Sequence, residues 1–162
     1  MHTTFAQESM GRRVNLLYRL SMRHVRNEMK KLGIGVGDYS FLIISYFLPG
    51  LSQDELSRHM HVDKSYTARA VAKLEKMGLV ERRPDPESHR IKRVFLTQMA
   101  MDMEDEFFGI LTAWQNILVK DIDPGDLKII RGGLDKMMEN AGTFLDGKDA
   151  DPFLGIINHD IY

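Results

Sequence analysis

A chain of 162 residues, 43% hydrophobic and 28% charged, fits one soluble globular domain and is too apolar to be disordered. The absence of cysteine excludes disulfides, thiolate zinc sites and cysteine-based redox sensing. The formal net charge of −1 hides an asymmetry, because residues 1–51 carry 7 Lys and Arg against 3 Asp and Glu, residues 52–96 carry 10 against 7, and residues 97–162 carry 5 against 13.

The N-terminal part of the chain predicts two helices. Apolar residues recur there at spacings of three and four, which is typical of an amphipathic helix: Val14, Tyr18, Met22, Val25, Met29 and Leu32. Gly33, Gly35 and Gly37 end this helix, and the side chain of Asp38 is expected to cap the next one. Residues 41–48 are apolar nearly all round, so the second helix should be buried at the centre of the fold.

Two short helices joined by a tight turn follow. Ser52 and Glu55 have the spacing of a capping box, which starts a helix that runs to His59. Asp63 is expected to cap the next helix, which runs to about Met77, and Gly78 to end it. Because the second helix has an outward polar face, the pair has the pattern of a helix-turn-helix.

A β-hairpin is predicted directly after the helix pair. Residues 79–83 and 91–96 are short strand-like runs, and residues 84–90 between them contain two prolines and several short polar side chains. A hairpin in this position is a wing.

The C-terminal part predicts a long helix from Gln98 to about Ile117, then a break at residues 121–124. Asp123 as cap and Pro124 at the first position begin a last helix, whose apolar stripe ends at Leu145. Residues 146–162 form a tail with an apolar segment at 153–157, which is expected to dock either on its own chain or on a partner subunit.

The outward face of the second helix of the pair carries the candidate DNA-reading residues. Ser65, Arg69, Lys73 and Lys76 recur at spacings of four, four and three. Lys64, Ser65, Tyr66 and Arg69 lie at the end that would enter the major groove, whereas Lys73 and Lys76 are predicted to meet phosphate. Many surface helices carry Lys and Arg, so this face alone decides little. The wing adds the cations Arg90, Lys92 and Arg93, which could reach the minor groove or the DNA backbone. A cationic helix face and a cationic wing occur together by chance less often than the helix face alone.

Several segments resemble the winged helix of the MarR family of transcriptional regulators. The similar positions are 51–56, 62–65, Arg69, 74–75, 78–80, Arg82, 84–86, Arg90 and 94–97. The resemblance is strong over about residues 39–97, while the flanking helices agree in number and position only. One departure concerns the wing arginine, here Arg90, because the family usually has an acidic residue two positions before it and this chain has Ser88. Glu87 and Asp85 are the alternatives for orienting Arg90.

The resemblance implies a mainly α fold with a small β-hairpin wing, in which long N- and C-terminal helices form a homodimer. Residues 1–38 would be the N-terminal dimerisation helix, 39–97 the winged helix-turn-helix DNA-binding lobe, 98–145 the C-terminal dimerisation helices, and 146–162 the tail. It further implies a cytoplasmic regulator, expected to be a repressor, that binds duplex DNA at a pseudo-palindromic operator. A small aromatic or anionic effector could release the DNA.

The sequence bears on three other classes of function. A winged helix can serve as a protein-interaction module, since fold alone does not fix function. His59 and His61 suggest a metal-responsive regulator, although no third ligand is placed by the sequence, so neither a metal site nor a cofactor is predicted. An enzyme is not predicted, because nucleophile, phosphate-loop and dinucleotide motifs are missing.

The sequence also bears on effector binding and membrane binding. Phe41, Tyr46, Tyr18 and Trp114 could wall an effector pocket, but a role in the core is favoured for them. No signal peptide is recognised at residues 1–10, and no run reaches the roughly 18 apolar residues of a membrane-spanning helix. A cytoplasmic protein without membrane contact is therefore expected.

Overall fold

A computed structural model of the chain describes residues 8–35 and 37–146. Within those ranges the chain is mainly helical, with one two-stranded antiparallel sheet. The elements in order are α1 (Met10–Lys31), α2 (Tyr39–Phe47), α3 (Gln53–His59), α4 (Lys64–Lys76), β1 (Val80–Pro84), β2 (Lys92–Leu96), α5 (Gln98–Asp102), α6 (Glu104–Leu118) and α7 (Pro124–Asp146). The predicted fold class is confirmed.

Helix α1 has two halves with different surroundings. It begins at Ser9, whose hydroxyl accepts a hydrogen bond from the amide of Arg12 at 3.2 Å. Towards its end Val25 and Met29 are buried in the core, whereas Val14 and Tyr18 near its start are exposed, Tyr18 to 61%. The apolar stripe read from the sequence therefore serves the core only in its C-terminal half.

Helix α2 lies at the centre of the lobe, as its composition predicts. Phe41, Leu42 and Ile44 are fully buried and pack with residues of α3, α4, the sheet and α6: Leu56, Val71, Leu74, Val94 and Phe107. The predicted side-chain cap at Asp38 is wrong. Asp38 has helical backbone angles (φ −91°, ψ −32°) and caps no amide with its side chain, because such a cap requires an extended backbone.

Helices α3 and α4 form the predicted helix-turn-helix. The capping box is present, since the Ser52 hydroxyl accepts from the Glu55 amide at 3.3 Å and the Glu55 carboxylate accepts from the Ser52 amide at 2.7 Å. Asp63 accepts from the Tyr66 amide at 2.8 Å, and Gly78 ends the unit with a φ of +75°. A buried hydrogen bond of 2.9 Å between the Ser57 and Thr67 hydroxyls joins the two helices.

Strands β1 and β2 form the wing, each shifted by about one residue from its predicted bounds. They pair in antiparallel register from Val80 opposite Leu96 to Pro84 opposite Lys92. The turn between α2 and α3 adds to the edge of β2, because the Gly50 amide donates to the Val94 carbonyl and the Val94 amide donates to the Leu51 carbonyl, each at 2.9 Å. The wing is thus fixed to the helical lobe at its base.

The single helix predicted from Gln98 is wrong, because it is divided at Met103 into α5 and α6. The Ala100 carbonyl accepts hydrogen bonds from the Tyr46 hydroxyl and from the Met103 amide three residues ahead, which tightens and ends α5. The redirected chain then places Phe107 of α6 in the core.

Helix α7 begins as predicted, with the Asp123 carboxylate accepting from the Gly125 amide at 2.7 Å. Its apolar residues are largely uncovered, and Ile129, Ile130, Phe144 and Leu145 are all exposed. The predicted docking of segment 153–157 lies outside the described residues. No helix among the described residues is long and apolar enough to span a membrane.

Candidate nucleic-acid interface

The outward face of α4 has the arrangement predicted for a recognition helix. Ser65, Arg69 and Lys76 are exposed, while the opposite face is buried through Thr67, Ala70, Val71 and Leu74. Capping by Asp63 leaves the first turn of α4 at the surface. This end of the helix is therefore sterically free to approach a groove.

Two arginines of the site have unengaged guanidinium groups. Arg69 on α4 and Arg90 in the wing loop are exposed, and neither side chain forms a hydrogen bond or ion pair with the residues at 8–35 and 37–146. The same holds for the ammonium groups of Lys76 and Lys92 within that part of the chain. These four cations can bind a polyanion without first breaking an internal contact.

Lys64 is engaged only by an exposed contact. Its ammonium lies 2.8 Å from the carboxylate of Asp54 on α3, with 74% and 62% of the two side chains exposed. Exposed ion pairs contribute about 0–1 kcal/mol, so a phosphate could replace Asp54 at little cost.

Lys73 and Tyr66 are both turned partly towards the lobe. The Lys73 ammonium donates to the carboxylate of Asp38, whose side chain is only 10% exposed. Tyr66 is half-buried, and its ring centroid lies 6.0 Å from that of Phe41. The predicted contact of Lys73 with phosphate, and that of Tyr66 with bases, would compete with these contacts.

In the wing, Asp85 organises the loop, and it binds Arg93 and not Arg90. One carboxylate oxygen of Asp85 accepts from the amides of Glu87 and Ser88 at 2.8 and 3.0 Å, and the other accepts from Arg93. These amide bonds, followed by the bond from Arg93, hold the pKa of Asp85 below its usual value. Among the described residues neither Asp85 nor Glu87 orients Arg90, so that expectation is wrong.

A groove of about 510 Å³ lies between the start of α3 and the wing. Its cationic walls are Arg58, Arg82, Arg90, Lys92 and Arg93, with Asp54 and Glu55 beside them. Arg82 forms a hydrogen-bonded ion pair with Glu75 near the end of α4, which raises the pKa of Arg82 and lowers that of Glu75. Cationic side chains therefore line the groove from α3 to the wing, with two carboxylates among them.

Sequence reasoning missed Arg58 and Arg82 as parts of this surface, and it named Asp85 only as an alternative for orienting Arg90. Arg82 belonged to the resemblance but received no role, and Arg58 is one cation on a short helix. A signal for Asp85 exists in the sequence, because an Asp followed by proline and short polar residues commonly accepts backbone amides of its own turn. The placement of these residues depends on contacts that only the folded chain creates.

Within the described residues, the alternative sites suggested by the sequence do not come together. Among residues 8–35 and 37–146 no group of three or more His, Asp or Glu side chains is placed to hold a metal ion. Phe41 is buried and Tyr18 is exposed, so they do not face one cavity. Tyr46 bonds to the Ala100 carbonyl, and burial followed by the charge of Glu104 raises its pKa to about 12. Trp114 donates to the Ser21 hydroxyl at 2.9 Å and stacks on His24.

Two helices joined by a short turn, followed by a hairpin fixed to the lobe, define a winged helix-turn-helix protein. In a comparison with known protein families, residues 37–92 match the MarR family. A MarR transcriptional regulator from Methanosarcina mazei Go1 is 32% identical with a TM-score of 0.80, over 84% of this chain and 98% of that one. The chain belongs to the MarR family of transcriptional regulators.

Two further relatives extend the comparison. The HTH-type transcriptional regulator YybA of Bacillus subtilis (strain 168) is 37% identical over 71 residues, which are 44% of this chain. The match spans about half the length of that relative, at 47%. A putative MarR family regulator from Listeria monocytogenes, solved in complex with a 26mer DNA, is 19% identical with a TM-score of 0.76, over 82% of this chain and 89% of that one. At that identity the likeness shows the fold alone.

Proposed function

We propose that this protein is a transcriptional repressor that binds duplex DNA as a homodimer, with α4 in the major groove and the wing against the adjacent minor groove. The observation that carries the proposal is the pair Arg69 and Arg90, whose guanidinium groups are exposed and bonded to nothing in the described part of the chain. Most neighbouring arginines of the lobe are engaged, including Arg82, Arg83 and Arg93. The family consists of transcription regulators and not of enzymes.

Dimerisation is supported by two uncovered apolar surfaces outside the lobe. The first half of α1 exposes Val14, Leu16, Leu17, Tyr18 and Leu20, and α7 exposes Ile129, Ile130, Leu134, Met137, Met138, Phe144 and Leu145. Surfaces of this kind are costly in water, and a twofold axis that pairs α1 and α7 with their copies would cover them. Two lobes would then meet two half-sites, and the second contact becomes intramolecular.

We infer in addition that a ligand regulates DNA binding. A small aromatic or anionic effector that favours a different separation of the two lobes would release a DNA that requires one separation. Release of DNA by a ligand fits a repressor that blocks its operator until the effector appears. We place the transmission of such a change at the contact between α1 and α6, where Trp114 stacks on His24.

The test compares three alanine variants on a duplex selected by the wild-type protein from a random-sequence pool. Arg69→Ala is expected to relax discrimination between bases by about 1–3 kcal/mol, because it removes a base contact. Arg90→Ala is expected to weaken binding and to reduce the salt dependence. Lys120→Ala, an exposed cation outside the lobe, is the matched control and should change neither.

Two results would contradict the proposal. Unchanged affinity of Arg69→Ala and Arg90→Ala at equal salt would remove both residues from the interface. If the wild-type protein bound duplex weakly and with no dependence on salt, the winged-helix protein-interaction module would be favoured instead, because binding to phosphates always releases counterions.

A further inference from the structure

The turn between α1 and α2 is approached closely by two side chains of α4. These are Tyr66 and Lys73, which are seven residues apart and therefore lie two helical turns apart on one side of α4. Their polar ends reach Gly37 and Gly35 respectively. The recognition helix is thus held against this turn at two points by side chains whose sequence pattern suggested DNA contact.

The glycine at position 35 leaves room for the Lys73 contact. The Lys73 ammonium donates to the carboxylate of Asp38, which is buried at the base of α2. A Cβ atom on Gly35 would lie 2.6 Å from that ammonium nitrogen and would also overlap the Asp38 carboxylate. The backbone of Gly35 therefore leaves the space in which the Asp38–Lys73 ion pair forms.

The glycine at position 37 leaves room for the Tyr66 contact in the same way. A Cβ atom on Gly37 would overlap the Tyr66 hydroxyl oxygen and lie 3.2 Å from the ring carbon that bears it. The Tyr66 ring is also tilted against the ring of Phe41 of α2, with 6.0 Å between the ring centroids. Tyr66 is therefore held between the turn and the central helix.

The turn is itself hydrogen-bonded to the end of α1. The Ile34 amide donates to the Met29 carbonyl at 2.9 Å, the Asp38 amide donates to the Gly35 carbonyl at 2.9 Å, and Ile34 is buried. A shift of the second half of α1 would consequently move the atoms that Tyr66 and Lys73 contact. The route from α1 to α4 is short and consists of packed groups.

The geometry points to Asp38, Lys73 and Tyr66 as positioning residues that fix the recognition helix to α1, with Gly35 and Gly37 providing the room. Lys73 and Tyr66 then act on DNA through the placement of Arg69 and Ser65 and not by direct contact. A movement of α1 within the dimer would reach α4 through these contacts. The inference rests on the proposed DNA-binding function and identifies the part of the lobe that sets its specificity.

The first experiment separates the two roles of Lys73 by the sign of the effect of Asp38→Asn and by the salt dependence of Lys73→Met. If Lys73 is a positioning residue, Asp38→Asn and Lys73→Met each weaken binding to the selected duplex by roughly tenfold, the scale of one lost charge-assisted hydrogen bond. The double variant then binds DNA no more weakly than either single variant. The salt slope, which is the change of log affinity with log salt concentration, stays that of the wild type. If Lys73 instead contacts phosphate, Asp38→Asn frees it and tightens binding, while Lys73→Met lowers the salt slope by about one. That result overturns the inference.

The second experiment is a suppressor test on the other contact. Gly37→Ala should weaken specific binding and leave binding to a random-sequence duplex unchanged, because the surface cations are still present. Adding Tyr66→Phe removes the overlapping oxygen and should restore most of the loss. Failure of Tyr66→Phe to rescue Gly37→Ala, or normal specific binding by Gly37→Ala alone, overturns the inference.

Hydrogen exchange of the α4 amides, measured without DNA, separates this inference from the proposed function. Asp38→Asn and Gly37→Ala should raise exchange in α4 more than in α6, and Tyr66→Phe should reverse the effect of Gly37→Ala. If the wild-type protein bound no duplex, the proposed function would be wrong. The exchange results would still show whether α4 is docked on the turn. Equal exchange in all variants would overturn the docking itself.

Discussion

The carboxylate of Asp85 and the guanidinium of Arg93 are bonded across the base of the wing loop, and this contact links three parts of the lobe. Asp85 also accepts the amides of Glu87 and Ser88, so it shapes the loop. Arg93 donates in addition to the Gly50 carbonyl at 2.9 Å and lies 3.6 Å from the carboxylate of Glu55. The wing is therefore held at a fixed angle to the start of α3, and Arg93 is engaged where the sequence predicted a DNA contact.

This arrangement distinguishes two neighbouring cations of β2. Arg93→Ala is expected to lower the free energy of unfolding by about 1–2 kcal/mol, because it leaves the buried carboxylate of Asp85 without its charged partner. Arg93→Ala should weaken DNA binding without changing the salt slope. Lys92→Ala, whose side chain is exposed, should leave stability within about 0.5 kcal/mol and lower the salt slope by about one.

Urea unfolding and binding titrations at several salt concentrations measure both quantities for both variants. Arg93→Lys should lose part of the stability of the wild type. A lysine ammonium lacks the planar fork with which the Arg93 guanidinium reaches both Asp85 and the Gly50 carbonyl. If Arg93→Ala lowered the salt slope and kept full stability, Arg93 would be a phosphate contact after all.

The parts of the fold that could be predicted are those determined by neighbouring residues. The capping box at Ser52 and Glu55, the cap at Asp63 and the ending at Gly78 involve partners within three or four residues, and all are present. Hydrophobic periodicity also identifies the buried face of α4, since burial follows the helical repeat. Exposure of Arg69 and Arg90 follows from the same patterns.

The parts that could not be predicted depend on distant partners. Lys73 bonds to a residue 35 positions away, and Arg93 to one 43 positions away, so no local pattern distinguishes them from free surface cations. The division of the helix at Met103 likewise follows from a bond between Tyr46 and Ala100, 54 positions apart. A sequence pattern thus predicted which side chains lie on the surface but not which of them are engaged.

The ion pair of Glu75 with Arg82 predicts a pH-dependent contribution to stability. The hydrogen bond from Arg82, followed by its charge, lowers the pKa of Glu75 in the folded protein. The stabilisation is therefore fully present above the unfolded pKa of about 4.3 and is lost as the pH falls through the lower folded value. Since both side chains are 36% exposed, Glu75→Gln should cost only about 0.5–1 kcal/mol at pH 7.

Urea unfolding of Glu75→Gln and of the wild type between pH 7 and pH 3 measures this difference. It should be constant down to about pH 5 and shrink as the pH falls further and the wild-type carboxylate becomes protonated. Arg82→Gln should reproduce the trend, because it removes the same pair. A difference between wild type and Glu75→Gln that stayed constant to pH 3 would contradict the assignment.

The exposed apolar stripe of α7 predicts that one charged substitution on it should dissociate the proposed dimer. Ile130→Glu places a carboxylate on this stripe, and twofold symmetry introduces it twice. Burial of one such apolar side chain contributes about 1.5–3 kcal/mol, so the dissociation constant of the dimer should rise by roughly 100-fold or more.

Light scattering coupled to size-exclusion chromatography measures the dimer fraction against concentration. Lys128→Glu changes an exposed cation on the same helix and serves as the control. The lobe of Ile130→Glu should keep its circular dichroism while its DNA affinity falls, because bivalent binding is lost. A dimer of unchanged strength would mean that α7 lies outside the interface.

Two glycines in different surroundings give the last prediction. Gly50 has a φ of +83°, and a Cβ atom there would lie 3.0 Å from the ring of Phe95, so Gly50→Ala introduces both backbone strain and crowding. It should lower the free energy of unfolding by about 1–3 kcal/mol. Gly109 lies inside α6 with nothing within 4 Å of its Cβ position, so Gly109→Ala should raise stability by about 0.5–1 kcal/mol.

Thermal and urea unfolding of the two variants measure these opposite changes, and DNA binding adds a second distinction. The Gly50 carbonyl is a partner of Arg93 and its amide is bonded to β2, so Gly50→Ala should also displace the wing and weaken operator binding. Gly109→Ala leaves the wing untouched and should bind as the wild type does. Normal DNA binding by a destabilised Gly50→Ala protein would show that the angle of the wing is set elsewhere, by the pairing of β1 with β2 alone.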